Sequence, residues 1–316
     1  MIGFRTRIVI AALLAAAGAA PAGAEMASFV HTVTEENRGC TFNQCTYFSH
    51  PLLYSGFPRW FFTPIWNPPG SPGVYYDDPL KVSSINVDDP DGLAHGIQGI
   101  DTMPLGAAFN VLIITEPEPT FEPETPCLYV HVANASNITG NYTEVDLPGL
   151  TSNPGAILLV TLDVLGPPRP IGVQYAGSRW RIVNLDLAPM ANPTGFTLLD
   201  VACATDRWRG FVHTATVANT TGASTRISDP ALDNHERVHL LVTPNVNAGG
   251  SPAVLNPHAV GVWYNDFVPP PHLWAVFNED LAAMPAGADF NVAEIKVLFA
   301  SGFERGSTAG FDVTVP

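Results

Sequence analysis

Apolar residues along the chain fall in short runs broken by Gly, Pro, Asn and Asp, and the runs recur three times in one order. Each round opens on an aromatic-Val-His strand (Phe29-Val30-His31, Tyr129-Val130-His131, Phe211-Val212-His213), with an Asn six residues after the His (Asn37, Asn137, Asn219). A turn follows through Gly39, Gly140 or Gly222, then a polar strand ending at Pro51, Pro148 or Pro230. The next strand is apolar and carries a Thr (Thr63, Thr161, Thr243) 32, 30 and 30 residues after the His. Beyond a Pro/Gly loop the chain reads Gly73-Val74-Tyr75-Tyr76, Gly172-Val173-Gln174-Tyr175 and Gly261-Val262-Trp263-Tyr264. An Asn-x-Asp tripeptide recurs as Asn86-Val87-Asp88, Asn184-Leu185-Asp186 and Asn278-Glu279-Asp280. Met103, Met190 and Met284 each stand six residues before a Phe (Phe109, Phe196, Phe290) that opens the last strand.

About six short β-type runs per round, punctuated by turn residues, predict an all-β protein of tandem sandwich-like units. Rounds of roughly 80–100 residues are too long for solenoid units and long enough for a small core each. The expected organisation is a signal peptide over 1–24, β repeats over 25–114, 127–207 and 208–298, and a C-terminal element over 299–316. The acidic, Pro-rich run 115–126 (TEPEPTFEPETP) reads as an extended linker between the first two repeats.

Composition agrees with this picture and adds the compartment. Thirty Pro and 27 Gly among 316 residues, with 46% hydrophobic and only 14% charged residues, describe a folded chain poor in helix. Arg5 and Arg7, the apolar run 8–20 and the small-residue site Ala22-Gly23-Ala24 predict export, with cleavage before Glu25. Removing those two arginines leaves 12 basic against 29 acidic residues, a charge of −17 where the whole chain has −15. Such a surface repels phosphate backbones and anionic lipid, which excludes nucleic acid as the expected partner. No later stretch supplies the roughly 20 apolar residues of a membrane span. Four cysteines in an exported chain predict two disulfides. Position favours Cys40–Cys45, a tight loop, and Cys127–Cys203, which frames the middle repeat. The expected location is secreted, cell-surface or periplasmic, in a Gram-negative bacterium.

The candidate chemistry starts with His235-Glu236-Arg237-Val238-His239, which matches the HExxH of zinc proteases. That motif needs a helix to bring both imidazoles to one metal. The aligned segment of the second round (Pro148-Gly149-Leu150-Thr151-Ser152-Asn153-Pro154-Gly155) forbids a continuous helix, so no catalytic zinc is expected here. GxSxG, P-loop and GxGxxG patterns are absent from the sequence. Asp77, Asp78, Asp88, Asp89 and Asp91 make calcium a candidate ligand, against their plainer role as turn residues. His31, His131 and His213 read as structural hydrogen-bond partners of the Asn six residues on. A repeated face of aromatic, amide and carboxylate groups suits sugar: Tyr175, Trp180, Asn184 and Asp186 in the second round, Tyr264, Trp274, Asn278 and Asp280 in the third. Strand alternation sends one of these aromatics to the core, with Trp274 the nominee. These features favour an exported, non-catalytic module binding glycan or protein, with an exported hydrolase as the alternative.

The order of FVHT, Asn, LLVTPN, GVWY, WAVFNED and MPAGADFNV over 211–292 resembles a family of secreted bacterial β-domains of unknown function. The resemblance implies fold and export and assigns no activity. Separately, Leu298-Phe299-Ala300-Ser301-Gly302-Phe303-Glu304-Arg305-Gly306 is similar to a short F-x-x-GFE-x-G element near the C-termini of exported Gram-negative proteins.

Overall fold

The structure, a computed structural model, describes residues 25–54, 57–66, 82–89, 92–116, 127–163, 168–203, 208–248, 252–266 and 270–295. The expected signal peptide 1–24, the loop Gly73–Tyr76, Asp77, Asp78 and Asp91, residues 117–126 of the expected linker and the C-terminal element lie outside the described residues. The chain is all-β. Its first seven strands are β1 (Glu25–Thr32), β2 (Arg38–Gly39), β3 (Cys45–Phe48), β4 (Phe57–Ile65), β5 (Val82–Asp89), β6 (Gly92–Gly99) and β7 (Ala108–Glu116). The same succession returns as β8 (Leu128–Ala133), β9 (Ile138–Thr139), β10 (Tyr142–Val145), β11 (Leu158–Leu162), β12 (Ile171–Ala176), β13 (Arg179–Asn184) and β14 (Thr194–Asp200). It returns again as β15 (Trp208–Thr214), β16 (Thr220–Thr221), β17 (Ser224–Ile227), β18 (His239–Asn245), β19 (Val260–Asn265), β20 (Leu273–Asn278) and β21 (Asp289–Ile295). Both predicted disulfides are present, Cys40–Cys45 and Cys127–Cys203, with Cα atoms 5.4 and 5.8 Å apart. No helix among the described residues is long and apolar enough to cross a membrane.

Each set of seven folds in the same way. The first, last and fourth strands form an antiparallel sheet (β1-β7-β4, β8-β14-β11, β15-β21-β18), and the other four form the facing sheet (β2-β3-β6-β5 and its counterparts). Between them lies a core to which Phe109, Phe196 or Phe290 contributes, each fully buried. The repeated Met-to-Phe spacing is thus the approach to the central strand of the three-stranded sheet.

The three sandwiches are not strung out. β4 of the first pairs in parallel with β19 of the third (Ile65 opposite Val262), and β18 of the third pairs in parallel with β12 of the second (Asn245 opposite Val173). Each junction continues a three-stranded sheet into a neighbour's four-stranded one, making two sheets of seven strands. β11 of the second lies beside β5 of the first, completing a ring, while β4, β11 and β18 touch one another around its pseudo-threefold axis. The three-stranded sheets therefore bury both faces. On β7, Phe109, Val111 and Ile113 face their own core, whereas Leu112 and Ile114 join Phe61, Leu159, Leu241, Leu199 and Ile295 in a cluster shared by all three sandwiches. This explains why the central strands read as continuous apolar runs, the pattern of strands covered on both sides.

Strand pairing corrects one part of the repeat alignment. Thr46 pairs with Ile97, as Thr143 does with Ile182 and Thr225 with Val276. Gly99 is thereby the counterpart of Asn184 and Asn278, and the three N–H groups donate alike to Gln44, Asn141 and Ala223 at 2.8, 2.8 and 3.0 Å. Asn86-Val87-Asp88 instead lies in β5, one strand earlier. By the same register Val82 matches Ile171 and Val260, so the first sandwich starts this strand nine residues after the Gly73 expected from sequence. The Trp missing there is replaced from another strand: His95 occupies the place of Trp180 and Trp274, and Trp60 of β4 packs against it with ring centroids 5.1 Å apart.

Candidate functional site

The recurrent histidines form one brace used three times. His31, His131 and His213 contact the hydroxyls of Thr46, Thr143 and Thr225 through Nε2 at 2.7, 2.8 and 2.9 Å. Each hydroxyl donates to Oδ1 of Asn37, Asn137 or Asn219 at 3.0, 2.9 and 3.0 Å. A hydroxyl that has given its proton away must accept at the other bond, so each histidine donates from Nε2. The Asn amides close the following turn, donating to the carbonyls of Thr32, Val132 and Thr214 at 2.8, 2.9 and 3.0 Å. Burial lowers all three imidazoles to a pKa of about 4. The direct His-Asn pair expected from sequence is thus a relay through a threonine, a residue that the repeat pattern had not singled out.

The residues nominated for a sugar face split between core and turn. Trp180 and Trp274 are fully buried, and their indole N–H groups donate to the carbonyls of Asn153 and His235, both at 2.9 Å. Tyr264 is buried against Trp274, and Tyr175 is half-buried against Trp180, each pair with centroids 5.4 Å apart. The amides of Asn184 and Asn278 donate to the carbonyls of Ala188 and Ala282 at 3.0 and 3.1 Å, bracing the turn they begin. Asp186 and Asp280 accept the N–H groups of those same alanines, at 3.1 and 3.0 Å. Their other oxygens hold Arg169 at 2.7 Å and His258 at 2.5 Å, two residues at the same place before β12 and β19. Both indoles are therefore spent on the interior and both amides on the turn, leaving no stacked aromatic face at these positions.

The same turns hold something the sequence did not flag. Leu187 and Leu281 follow Asp186 and Asp280 with φ of 61° and 59°, and they are 64% and 61% exposed. A branched residue in the left-handed region costs on the order of 1 kcal/mol, and no apolar burial offsets it here. The neighbouring hairpin tips are Gly140 and Gly222, with φ of 58° and 57°, where glycine adopts the conformation freely. In the first sandwich the tip is the disulfide-closed loop, and there Phe42 takes φ of 63° and stands 78% exposed. Its carbonyl accepts from Thr102 at 3.0 Å, so this loop leans on the first sandwich's counterpart of the Leu187 turn. Each sandwich thus presents one large apolar residue, in strained backbone, at the same corner.

Of the remaining candidates, His235 lies in irregular chain between two turns and His239 begins β18, so the HExxH residues occupy a loop-strand junction. His239 Nδ1 meets the Ser28 hydroxyl at 3.0 Å, and burial lowers its pKa to about 4. Among the described residues no group of three or more His, Cys, Asp or Glu side chains is placed to hold a metal. Asp88 and Asp89 end β5. A cavity of about 90 Å³ lies on the pseudo-threefold axis, with Thr63, Thr161 and Thr243 in its wall.

Residues 97–199 and 198–294 match the profile of a family described as Domain of unknown function (DUF7452). The chain belongs to this family. The second DUF7452 match takes in the third sandwich to within a residue of its end, and the first takes in β7 and nearly all of the second sandwich. Both matches contain a complete His-Thr-Asn brace and an exposed left-handed leucine. No curated protein and no solved structure matches the chain.

Proposed function

We propose that the protein is an exported, non-catalytic module in which one chain builds a three-sided scaffold that displays a set of related corners to a glycan or protein ligand. The observation that carries this reading is the exposed apolar residue in left-handed backbone at the same corner of every sandwich: Leu187, Leu281 and Phe42. Strain kept at neighbouring surface positions whose side chains gain no apolar burial points to an intermolecular use. Sheets continuing from one sandwich to the next fix the corners relative to one another, which lets weak contacts act together. Export is supported by the N-terminal segment and by the two disulfides, which suit an oxidising compartment.

The test replaces Leu187, Leu281 and Phe42 together with Asn, which tolerates the left-handed region. The triple variant is expected to gain up to ~1 kcal/mol per site in denaturant unfolding. It is also expected to lose the binding that wild type shows on a glycan array and to immobilised surface extract of the producing cell. Unchanged binding by the folded triple variant would remove these corners as the site.

A further inference from the structure

We propose that the axial cavity is a binding site for a small monovalent anion. At about 90 Å³ it holds a halide with a water, or a short carboxylate, since a water's share of liquid volume is roughly 30 Å³. Its wall takes one Thr from each sandwich, Thr63, Thr161 and Thr243, the residues that the repeat places 30–32 positions after the brace histidine. Two of these hydroxyls accept a backbone N–H from the next sandwich: Thr63 from Val242 at 2.9 Å, and Thr243 from Val160 at 3.0 Å. With a lone pair occupied, each keeps its proton to donate, and neither finds an acceptor among the described residues.

Thr161 is the decisive member. It is 4% exposed and lines the cavity, and its hydroxyl has no hydrogen-bond partner among the described residues. A hydroxyl that faces the cavity in this state has its proton free to donate to a ligand there. Arg169 and His258 also reach the wall, each held by a carboxylate at one nitrogen, which leaves guanidinium N–H groups of Arg169 for a ligand. No carboxylate lines the cavity among the described residues, so it lacks the oxygen-rich set a hard cation needs. Hydroxyl and guanidinium donors with apolar walls of Phe62, Val160 and Val242 select an anion of low charge.

Thermal unfolding of the full chain at fixed pH and ionic strength tests this, comparing sodium bromide and sodium acetate with gluconate, an anion too large to enter. The midpoint of wild type and Thr161→Ser is expected to rise by about 2–4 °C in bromide or acetate. Thr161→Val, which gives up no protein hydrogen bond, is expected to match or exceed wild type in gluconate and to show no such rise. A bromide soak is expected to place an anomalous peak among the three threonines. Equal midpoints of wild type in all three salts, an anion effect that survives in Thr161→Val, or a cavity holding water alone in the soaked crystal would each overturn the proposal.

Discussion

The first sandwich and the other two share a pattern of strand pairing and differ in what fills it. In the second and third, an indole from the strand before the Asn-x-Asp turn occupies the core. In the first, His95 stands at that place and Trp60 enters from β4, where the others have Leu158 and Leu240. The junctions differ likewise. Gly172 and Gly261 let neighbouring backbone approach so closely that an added Cβ would lie 2.8 Å from the Pro244 carbonyl and 3.0 Å from that of Pro64. Their counterpart facing the second sandwich is Ser83. Asn110 and Asn291 donate across their junctions to the carbonyls of Leu240 and Leu158 at 2.9 and 3.0 Å, whereas Thr197 bonds Asp163 within its own sandwich. The core accepts large side chains from different strands, while the brace is kept in every copy. What defines the unit is the buried polar relay, and among the described residues the seam between second and first sandwiches shows neither the close glycine approach nor the asparagine bond of the other two.

The largest test of that view is acid. Each brace histidine has its pKa lowered from 6.5 to about 4 in the folded state, so the unfolded chain binds protons first as pH falls. Stability is full above pH 6.5 and is lost as pH drops toward 4, by about 3 kcal/mol per histidine. Three together rival the entire stability of a typical domain, and cooperative unfolding near pH 5 is expected by circular dichroism. Replacing any one of them with Gln should remove one proton from the slope, equally in all three sandwiches; a flat profile would break the comparison.

Next in size is the exchange of indoles. Trp60→Ala and Trp274→Ala should each cost about 3–5 kcal/mol in denaturant unfolding. His95→Trp alone should overpack the first core by about 1–3 kcal/mol. Adding Trp60→Leu, which reproduces the arrangement of the other two sandwiches, should recover most of that loss. The last effect belongs to the junction of the third and second sandwiches. Asn291→Thr, copying Thr197, should cost roughly 1–3 kcal/mol by freeing the Leu158 carbonyl and the Asn245 amide it serves. A neutral result would mean that the junctions differ in geometry and not in energy.

Much of the fold was legible because turn chemistry and His-Asn spacing repeat at short range, where chain distance and spatial distance agree. The all-β class follows from that, and both disulfides follow from where the four cysteines stand along the chain. The alignment failed in the first sandwich, where Asn86 and Gly73 matched by residue type; register is set by cross-strand partners, and Thr46 opposite Ile97 overrides the resemblance of one tripeptide to another. Trp274 was correctly sent inward by alternation, but its partner Tyr264 went with it because the facing sheet covers both. The ring itself was hidden. Its only trace was strands apolar on both faces, such as β7, and periodicity alone does not say that the second face meets another copy. The left-handed leucines left no sequence signal, since nothing in Asp-Leu foretells positive φ.

The parallel bridge from Ile65 to Val262 also has a bearing on the nascent chain. About 200 residues separate its two sides, so at 5–20 residues per second the edge of β4 waits some 10–40 s for its partner to be made. Until then the first sandwich carries an open strand edge able to pair with any extended chain nearby. A cell making this protein must keep that edge from finding the wrong strand, and a truncation before β19 would leave the edge permanently unmatched.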